Sequence, residues 1–326
     1  MGSTQDDDVQ LHVHTPLIHS RPLSVLTGLT VNLKCENVQP TDTFKIRGVG
    51  NLCKKAKANG CKHIVCASGG NAGVAAAYAA QKLGIPCTII IPESTPKFTA
   101  ERLRKELGAN VEIHGQVWNH AHERGLELAK QPGCTYVHPF DHPDVWEGHE
   151  SMMVEVQQDL KEKPDVVITS VGGGGLLNGV VQGLQRVGWN DIPVIAMETV
   201  GADSYNQAVK AGHLVTLPTI SSVAHCLGAL RVCERSFENY SKHTIHSEVV
   251  KDKEAVSACL RFLDDHRIMV EPACGAALAG IYSNVIPKLQ KEGKLKADLK
   301  NVVVIVCGGS SISIQQLMQW KEQFGL

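Results

Sequence analysis

The chain has 326 residues, 43% of them hydrophobic, and 32 Lys plus Arg against 33 Asp plus Glu give it a net charge of −1. That length and apolar content call for one or two folded domains and exclude a disordered chain, and the lack of any basic block argues against a nucleic-acid partner. Eleven cysteines, an odd number with no Cys-x-x-Cys pair, suit a reducing compartment better than a disulfide framework or a zinc site.

The polar, acidic start at Met1-Gly2-Ser3-Thr4-Gln5-Asp6-Asp7-Asp8 resembles neither a signal nor a transit peptide, and no apolar run is long enough to span a bilayer. The expected location is the cytosol. Along the chain, strands are predicted at 31–35, 63–66, 87–91, 110–114, 166–170, 194–198 and 302–307. Helices are predicted at 71–83, 96–107, 118–130, 146–160, 253–265 and 312–323, with Gly84, Gly108 and Gly133 standing where helices stop. The strands are apolar almost throughout, as parallel strands covered on both faces are, so the fold class is α/β, with open, mainly parallel sheets flanked by helices. The stretch 139–144, with two prolines and no periodicity, is a candidate crossing between domains.

Four segments could carry chemistry. The first is Thr43-Phe44-Lys45-Ile46-Arg47-Gly48, a lysine between apolar neighbours. A lone lysine is ordinarily a solvated surface residue; a desolvated one has a lowered pKa and can attack an aldehyde as a free amine. The second is Ser68-Gly69-Gly70-Asn71-Ala72-Gly73, at a strand-to-helix turn. Its amides suit a carboxylate, and a tight turn capped by Asn71 accounts for the same residues. The third is Gly172-Gly173-Gly174-Gly175, which follows a strand and leads into a helical run at Leu176-Leu177. Consecutive glycines let N–H groups turn inward on a bulky anion at a helix N-terminus, which makes a phosphate cup. A dinucleotide site competes, because Gly173, Gly175 and Gly179 form G-x-G-x-x-x-G and Glu198 ends the next strand. That spacing departs from G-x-G-x-x-G, and a single phosphate explains the loop more simply. The fourth is Cys307-Gly308-Gly309-Ser310-Ser311, where a thiol is ordinarily a small core residue.

In this order and spacing, the four motifs resemble the serine dehydratase family, especially its serine dehydratase-like members. Pro139-Phe140-Asp141, Val194-Ile195-Ala196-Met197-Glu198 and Glu271-Pro272-Ala273-Cys274-Gly275 extend the resemblance from near Leu11 to the C-terminus. It implies a fold type II enzyme, tryptophan synthase β-like, with pyridoxal 5′-phosphate (PLP) between a large domain at 1–38 and 143–326 and a small domain inserted at 39–142. By the same resemblance Lys45 holds PLP as a Schiff base. Gly172, Gly173, Gly174, Gly175 and Leu176 bind its phosphate, Asn71 its 3′-oxygen, Phe44 one ring face and Cys307 the pyridine nitrogen. Ser68, Gly69, Gly70, Asn71 and Ala72 grip the substrate carboxylate, and potassium lies at Glu198, Ala202, Ser204, Leu227 and Ala229.

The implied activity is that of an L-serine dehydratase/L-threonine deaminase, a homodimer that eliminates water and releases ammonia to leave pyruvate or 2-oxobutyrate. The resemblance leaves two alternatives. A serine racemase needs a second acid/base where this chain has Gly69. A PLP-binding paralogue with little catalysis is suggested by Asp42-Thr43 in place of the usual Gly-Ser, by Gly69 in place of alanine, and by Cys226 where a small residue is common. Gly69 is expected to leave room in the pocket, so that Gly69→Ala does not lower activity.

Overall fold

The computed structural model describes residues 9–93, 95 and 97–326. The acidic start at Met1 and the predicted helix start at Pro96 lie outside the described residues. In chain order the strands are β1 (Leu17–His19), β2 (Thr30–Cys35), β3 (His63–Ala67), β4 (Cys87–Ile91), β5 (Asn110–Ile113), β6 (Cys134–Tyr136), β7 (Val166–Ser170), β8 (Val194–Thr199), β9 (Ile245–Val250) and β10 (Asn301–Val306). They form two sheets, each within one of two compact units.

The first unit comprises Gln39–Gly148 with the described residues before His14, and its sheet runs β5-β4-β3-β6, all parallel. Ile64, Val65, Cys66 and Ala67 of β3 and Ile89, Ile90 and Ile91 of β4 are buried, so both faces of these strands are covered. Full burial of each isoleucine or valine contributes roughly 1.5–3 kcal/mol, which is why the strands read as unbroken apolar runs. The helix Asn71–Leu83 buries six alanines, and those short side chains let it pack closely on the helix Lys45–Ala58. The chain leaves this unit within the helix Pro143–Asp159 rather than at residue 143. Its first turn is tied down by Lys55, whose Nζ lies 2.8 Å from Asp144 and also contacts Glu147, and by Asn51 Nδ2 donating to the Asp144 carbonyl. A Cβ on Gly148 would stand 2.3 Å from the Arg47 carbonyl oxygen, so the helix and the Lys45 segment meet there backbone to backbone.

The second unit comprises His14–Val38 and His149–Leu326, with sheet order β1-β2-β10-β7-β8-β9; only the short edge strand β1 is antiparallel. Its central helix, Pro272–Tyr282, is buried on every side and packs on β7, β8 and β10. A Cβ on Gly280 would approach Ile168 to 2.9 Å, and one on Gly275 would approach the Ala255 carbonyl to 2.3 Å. Small residues are what allow a helix to lie that close to its neighbours.

The α/β class with two mainly parallel sheets is as the sequence suggests. β1, β6 and β9 and the helices Arg21–Thr27, Lys45–Ala58, Ser204–Ala211, Glu234–Lys242, Pro272–Tyr282 and Val285–Lys291 were not foreseen as elements. Among the described residues no helix is long and apolar enough to cross a membrane.

Both sheets reverse direction. The chain runs outward through β3, β4 and β5, then returns to the far side of β3 as β6. It likewise runs outward through β7, β8 and β9, then returns to the far side of β7 as β10. In open parallel sheets, the crevice at the carboxyl ends of strands flanking such a reversal is where ligands bind.

Candidate active site

In the first unit the reversal lies between β3 and β6, and the predicted residues gather at its carboxyl edge. Lys45 is the first residue of the helix Lys45–Ala58, with Phe44 as the residue before it. Its backbone N–H is accepted by Thr43 Oγ1 at 3.1 Å. Asp42 adopts a left-handed φ of 61°, which Asp tolerates better than most residues. The Lys45 Nζ donates to the Pro139 carbonyl at 2.7 Å and lies 5.3 Å from the centroid of the Phe44 ring, which is buried.

The loop that presents the Pro139 carbonyl is shaped by His138, whose Nδ1 accepts the N–H groups of Phe140 at 3.3 Å and Asp141 at 2.8 Å. Burial pushes the His138 imidazole down to about 3, helped by the nearby His122, Lys45 and His142, so it is neutral with its proton on Nε2. Rings continue away from it: His138 lies edge-on to Phe140 and His122, and His122 stacks on Trp118 at 4.7 Å. Trp118 Nε1 donates to the Ala67 carbonyl at 2.7 Å and fixes the end of β3 just before Ser68. The sequence reading missed His138 and Trp118; the only signal was the two-proline break at 139–144.

Ser68 Oγ accepts the Gly70 N–H at 3.2 Å, and Gly70 caps the helix Asn71–Leu83 without a side chain. Among the described residues the Gly69 amide meets no acceptor. Gly73 is required for this turn, since a Cβ there would stand 1.8 Å from the Ser68 carbonyl oxygen. Asn71 and the buried Ala72 form the first turn of the helix, whose positive end favours an anion. The room expected beside Gly69 is not there: a Cβ on Gly69 would lie 2.8 Å from Thr95 Cγ2. A side chain at residue 69 would therefore require Thr95 or the turn itself to shift.

In the second unit the reversal lies between β7 and β10. The amides of Gly172, Gly173 and Gly174, which follow β7, have no acceptor among the described residues. Two of their carbonyls are tied elsewhere: Gly173 O accepts the Cys233 N–H at 3.1 Å, and Gly174 O accepts the Asn178 N–H at 2.9 Å and the Ser236 hydroxyl at 3.2 Å. Gly174 has φ 95° and caps the helix Gly175–Arg186 without a side chain; a Cβ there would stand 2.0 Å from Ser236 Oγ. A Cβ on Gly172 would approach Leu227 Cα to 2.9 Å. Gly175 and Leu176 open the helix itself. Open amides at the positive end of a helix fit the phosphate of PLP. Gly179 serves another purpose, since its missing side chain lets His149 approach; a Cβ would lie 2.2 Å from His149 Cβ. The dinucleotide reading thus loses its last glycine to helix packing.

Cys307 follows β10, and its Sγ lies 3.6 Å from Ser170 Oγ at the end of β7. A hydrogen bond with Cys274 and burial push its thiol well above the ordinary value, so it stays neutral. Glu271 Oε1 accepts the Ser311 N–H at 2.8 Å, and its side chain fills the space at Gly309, where φ is 146°. Glu271, Ser170 and Cys274 are supports that residue type alone did not reveal.

Of the proposed cation ligands, Glu198 is wholly buried on β8, and its oxygens accept the N–H groups of Tyr205 at 2.9 Å and Asn206 at 2.7 Å. Burial pushes its carboxyl up to about 8. Ala202 and Ser204 are buried beside it at the start of the helix Ser204–Ala211. Leu227 packs on Gly172, and its carbonyl accepts the Ala229 N–H at 2.8 Å. Among the described residues no three His, Cys, Asp or Glu gather to hold a metal, so a cation here depends on carbonyl and hydroxyl oxygens around one carboxylate. Hard cations are suited to such an all-oxygen set.

Comparisons with known proteins place the chain in a family. The family model described as pyridoxal-phosphate dependent enzyme matches residues 9–308. Over 317 residues the chain is 54% identical to an L-serine dehydratase/L-threonine deaminase of Bos taurus, with 97% of each chain covered. Over 314 residues it is 54% identical to a serine dehydratase-like protein of Homo sapiens, covering 96% of this chain and 95% of that one. A solved fungal L-serine ammonia-lyase from Rhizomucor miehei superimposes with a TM-score of 0.89 at 34% identity, covering 96% of this chain and 99% of the other. With matches of this extent to sequence and to fold, the chain belongs to the family of pyridoxal-phosphate dependent enzymes.

Proposed function

We propose that the chain is an ammonia-lyase that converts L-serine to pyruvate and L-threonine to 2-oxobutyrate, releasing ammonia. The observation that carries this reading is the row of amides at Gly172, Gly173 and Gly174 with no acceptor among the described residues, in a chain whose relatives at 54% identity are serine dehydratases. Lys45 and these glycines are assigned to one PLP molecule, with Leu176 at the phosphate, Phe44 over the ring and Asn71 at the 3′-oxygen. Bound PLP supplies an electron sink for negative charge at the substrate Cα.

The remaining chemistry belongs to the protein's own groups. Ser68, Gly69, Gly70, Asn71 and Ala72 hold the substrate carboxylate through main-chain N–H groups. Lys45, once displaced by the substrate amine, would receive the α-proton at Nζ and pass it on to the β-hydroxyl, which would leave as water. The Pro139 carbonyl gives that amine a fixed hydrogen-bond direction. Cys307, kept a neutral thiol, leaves the pyridine nitrogen without an anionic partner, which favours prompt loss of the hydroxyl over return of the proton to Cα. Gly69 supplies no second acid/base, so D-serine is not an expected product.

Potassium at Glu198, Ala202, Ser204, Leu227 and Ala229 is part of the proposal, supported by a buried carboxyl group that a cation would hold in its ionised form. So are a homodimer, which rests on the family resemblance, and a cytosolic location, which suits eleven cysteines that form no disulfide in the structure. The test is an absorbance spectrum of the PLP-loaded protein together with keto-acid assays on L-serine, L-threonine and D-serine. A lysine-bound cofactor band that disappears in Lys45→Ala, with keto acid formed from the L-amino acids, is expected; the band without keto acid would identify an inert binder.

A further inference from the structure

The turn assigned to the substrate carboxylate is held from one side by a residue outside all four motifs. A Cβ on Gly69 would stand 2.8 Å from Thr95 Cγ2, 3.0 Å from Thr95 Oγ1 and 3.3 Å from Ile91 Cγ2. At the neighbouring Gly70 the nearest such atom is Ser68 Oγ at 3.9 Å, so of these two adjacent glycines only Gly69 is crowded. Thr95 is not easily displaced. Its N–H donates to the Pro92 carbonyl at 3.0 Å, the nearby Glu93 N–H donates to the Gly115 carbonyl at 2.8 Å, and Ile91 is buried in β4. A β-branched side chain also has few rotamers into which it can retreat. On the opposite side the turn cannot yield either, because the Ser68 carbonyl oxygen occupies the space of a Gly73 side chain and Trp118 grips the Ala67 carbonyl.

We propose that Thr95 is a positioning residue for the substrate carboxylate: its branched side chain occupies the volume a side chain at residue 69 would need, and so fixes the amide edge of Gly69 and Gly70. This rests on the dehydratase reading given above. Gly69 and Thr95 act as a pair, in which a methyl added at one is accommodated only when the other is shortened. The glycine is then not a loosening of the pocket but the partner of a larger residue arriving from the loop after β4. Because the pair acts on the carboxylate-binding turn and not on Lys45, its disturbance falls on substrate capture rather than on proton transfer.

The test compares Gly69→Ala, Thr95→Ala and the double variant, measuring KM and kcat for L-serine on the PLP-loaded proteins and the unfolding midpoint of the cofactor-free ones. Gly69→Ala is expected to raise KM about tenfold or more, with a smaller change in kcat and an unaltered cofactor band, since small misplacements of binding groups are costly. It is expected to lower the cofactor-free Tm by about 2–4 °C, as overpacking does. Adding Thr95→Ala should return KM to within about threefold of wild type and recover most of the lost Tm, the signature of coupled neighbours. An unchanged KM in Gly69→Ala, or purely additive effects in the double variant, would overturn the pairing. A wild-type protein that makes no keto acid would sink the dehydratase reading instead, while the Tm coupling would still decide whether the two side chains compete for one space.

Discussion

At the scale of single residues, His138 shows how a buried polar group shapes the loop that receives a lysine amine. Its Nδ1 holds two backbone N–H groups, and through them the direction of the Pro139 carbonyl that receives Lys45. Its folded pKa is about 3, against an unfolded value near ~6.5. Below the unfolded value the unfolded chain takes up a proton that the folded one refuses, so this contribution is fully present above pH ~6.5 and is lost as pH falls toward 3. His138→Gln keeps an acceptor and removes the titration. Thermal unfolding of the cofactor-free variant should therefore decline less steeply than wild type between pH ~6.5 and ~4; parallel curves would show that His138 is not buried as described. Glu198 offers a second case. Glu198→Gln keeps an oxygen for one of the two helix amides but loses the charge, so any rise in Tm on replacing sodium by potassium should vanish in the variant, and a surviving rise would place the cation elsewhere.

At the scale of elements, the helix Lys45–Ala58 begins from Asp42-Thr43, where the resemblance leads one to expect Gly-Ser. Asp42 takes the left-handed φ of 61° that glycine takes freely, and Thr43 provides the hydroxyl that accepts the Lys45 N–H. The departures are conservative in physical terms, which weakens the case for an inert paralogue. Replacing both, Asp42→Gly with Thr43→Ser, should leave kcat/KM within about threefold of wild type, because the strain relieved and the exposed Arg102 ion pair lost are each worth roughly 1 kcal/mol. Thr43→Ala alone should cost about 1 kcal/mol, measured by denaturant unfolding. This helix was hard to read because it starts inside a motif whose chemistry masks its capping. Pro272–Tyr282 was hidden for the opposite reason: buried on all sides, it has no polar face and hence no amphipathic period. β1 and β6, at three residues each, are too short to show alternation. The apolar parallel strands β3, β4, β7 and β10 were legible because both their faces must be covered.

At the scale of the whole molecule, each unit supplies one reversal of strand order, and the four motifs fall at those two reversals. The motifs were visible in the sequence because glycines and a lone lysine are conspicuous; their supports, His138, Trp118, Thr95, Ser236 and Glu271, were not, because they lie outside the four motifs and act through contacts that residue type does not announce. This division of labour makes the two contributions separable. Gly174 has φ 95° and no space for a side chain beside Ser236, so Gly174→Ala should distort the cup at a cost of at least about 1–2 kcal/mol from the left-handed backbone alone. If that cost appears in PLP binding, the concentration for half-saturation should rise by about tenfold or more, since about 1.4 kcal/mol is a factor of ten. Lys45 itself is untouched by the substitution. Borohydride reduction of the saturated variant should therefore still attach the cofactor to the peptide carrying Lys45, as mass analysis would show, whereas Lys45→Ala should yield no attachment there at any concentration. Unchanged half-saturation in Gly174→Ala would remove the glycine loop from the cofactor site, and attachment at another lysine in the wild type would remove Lys45.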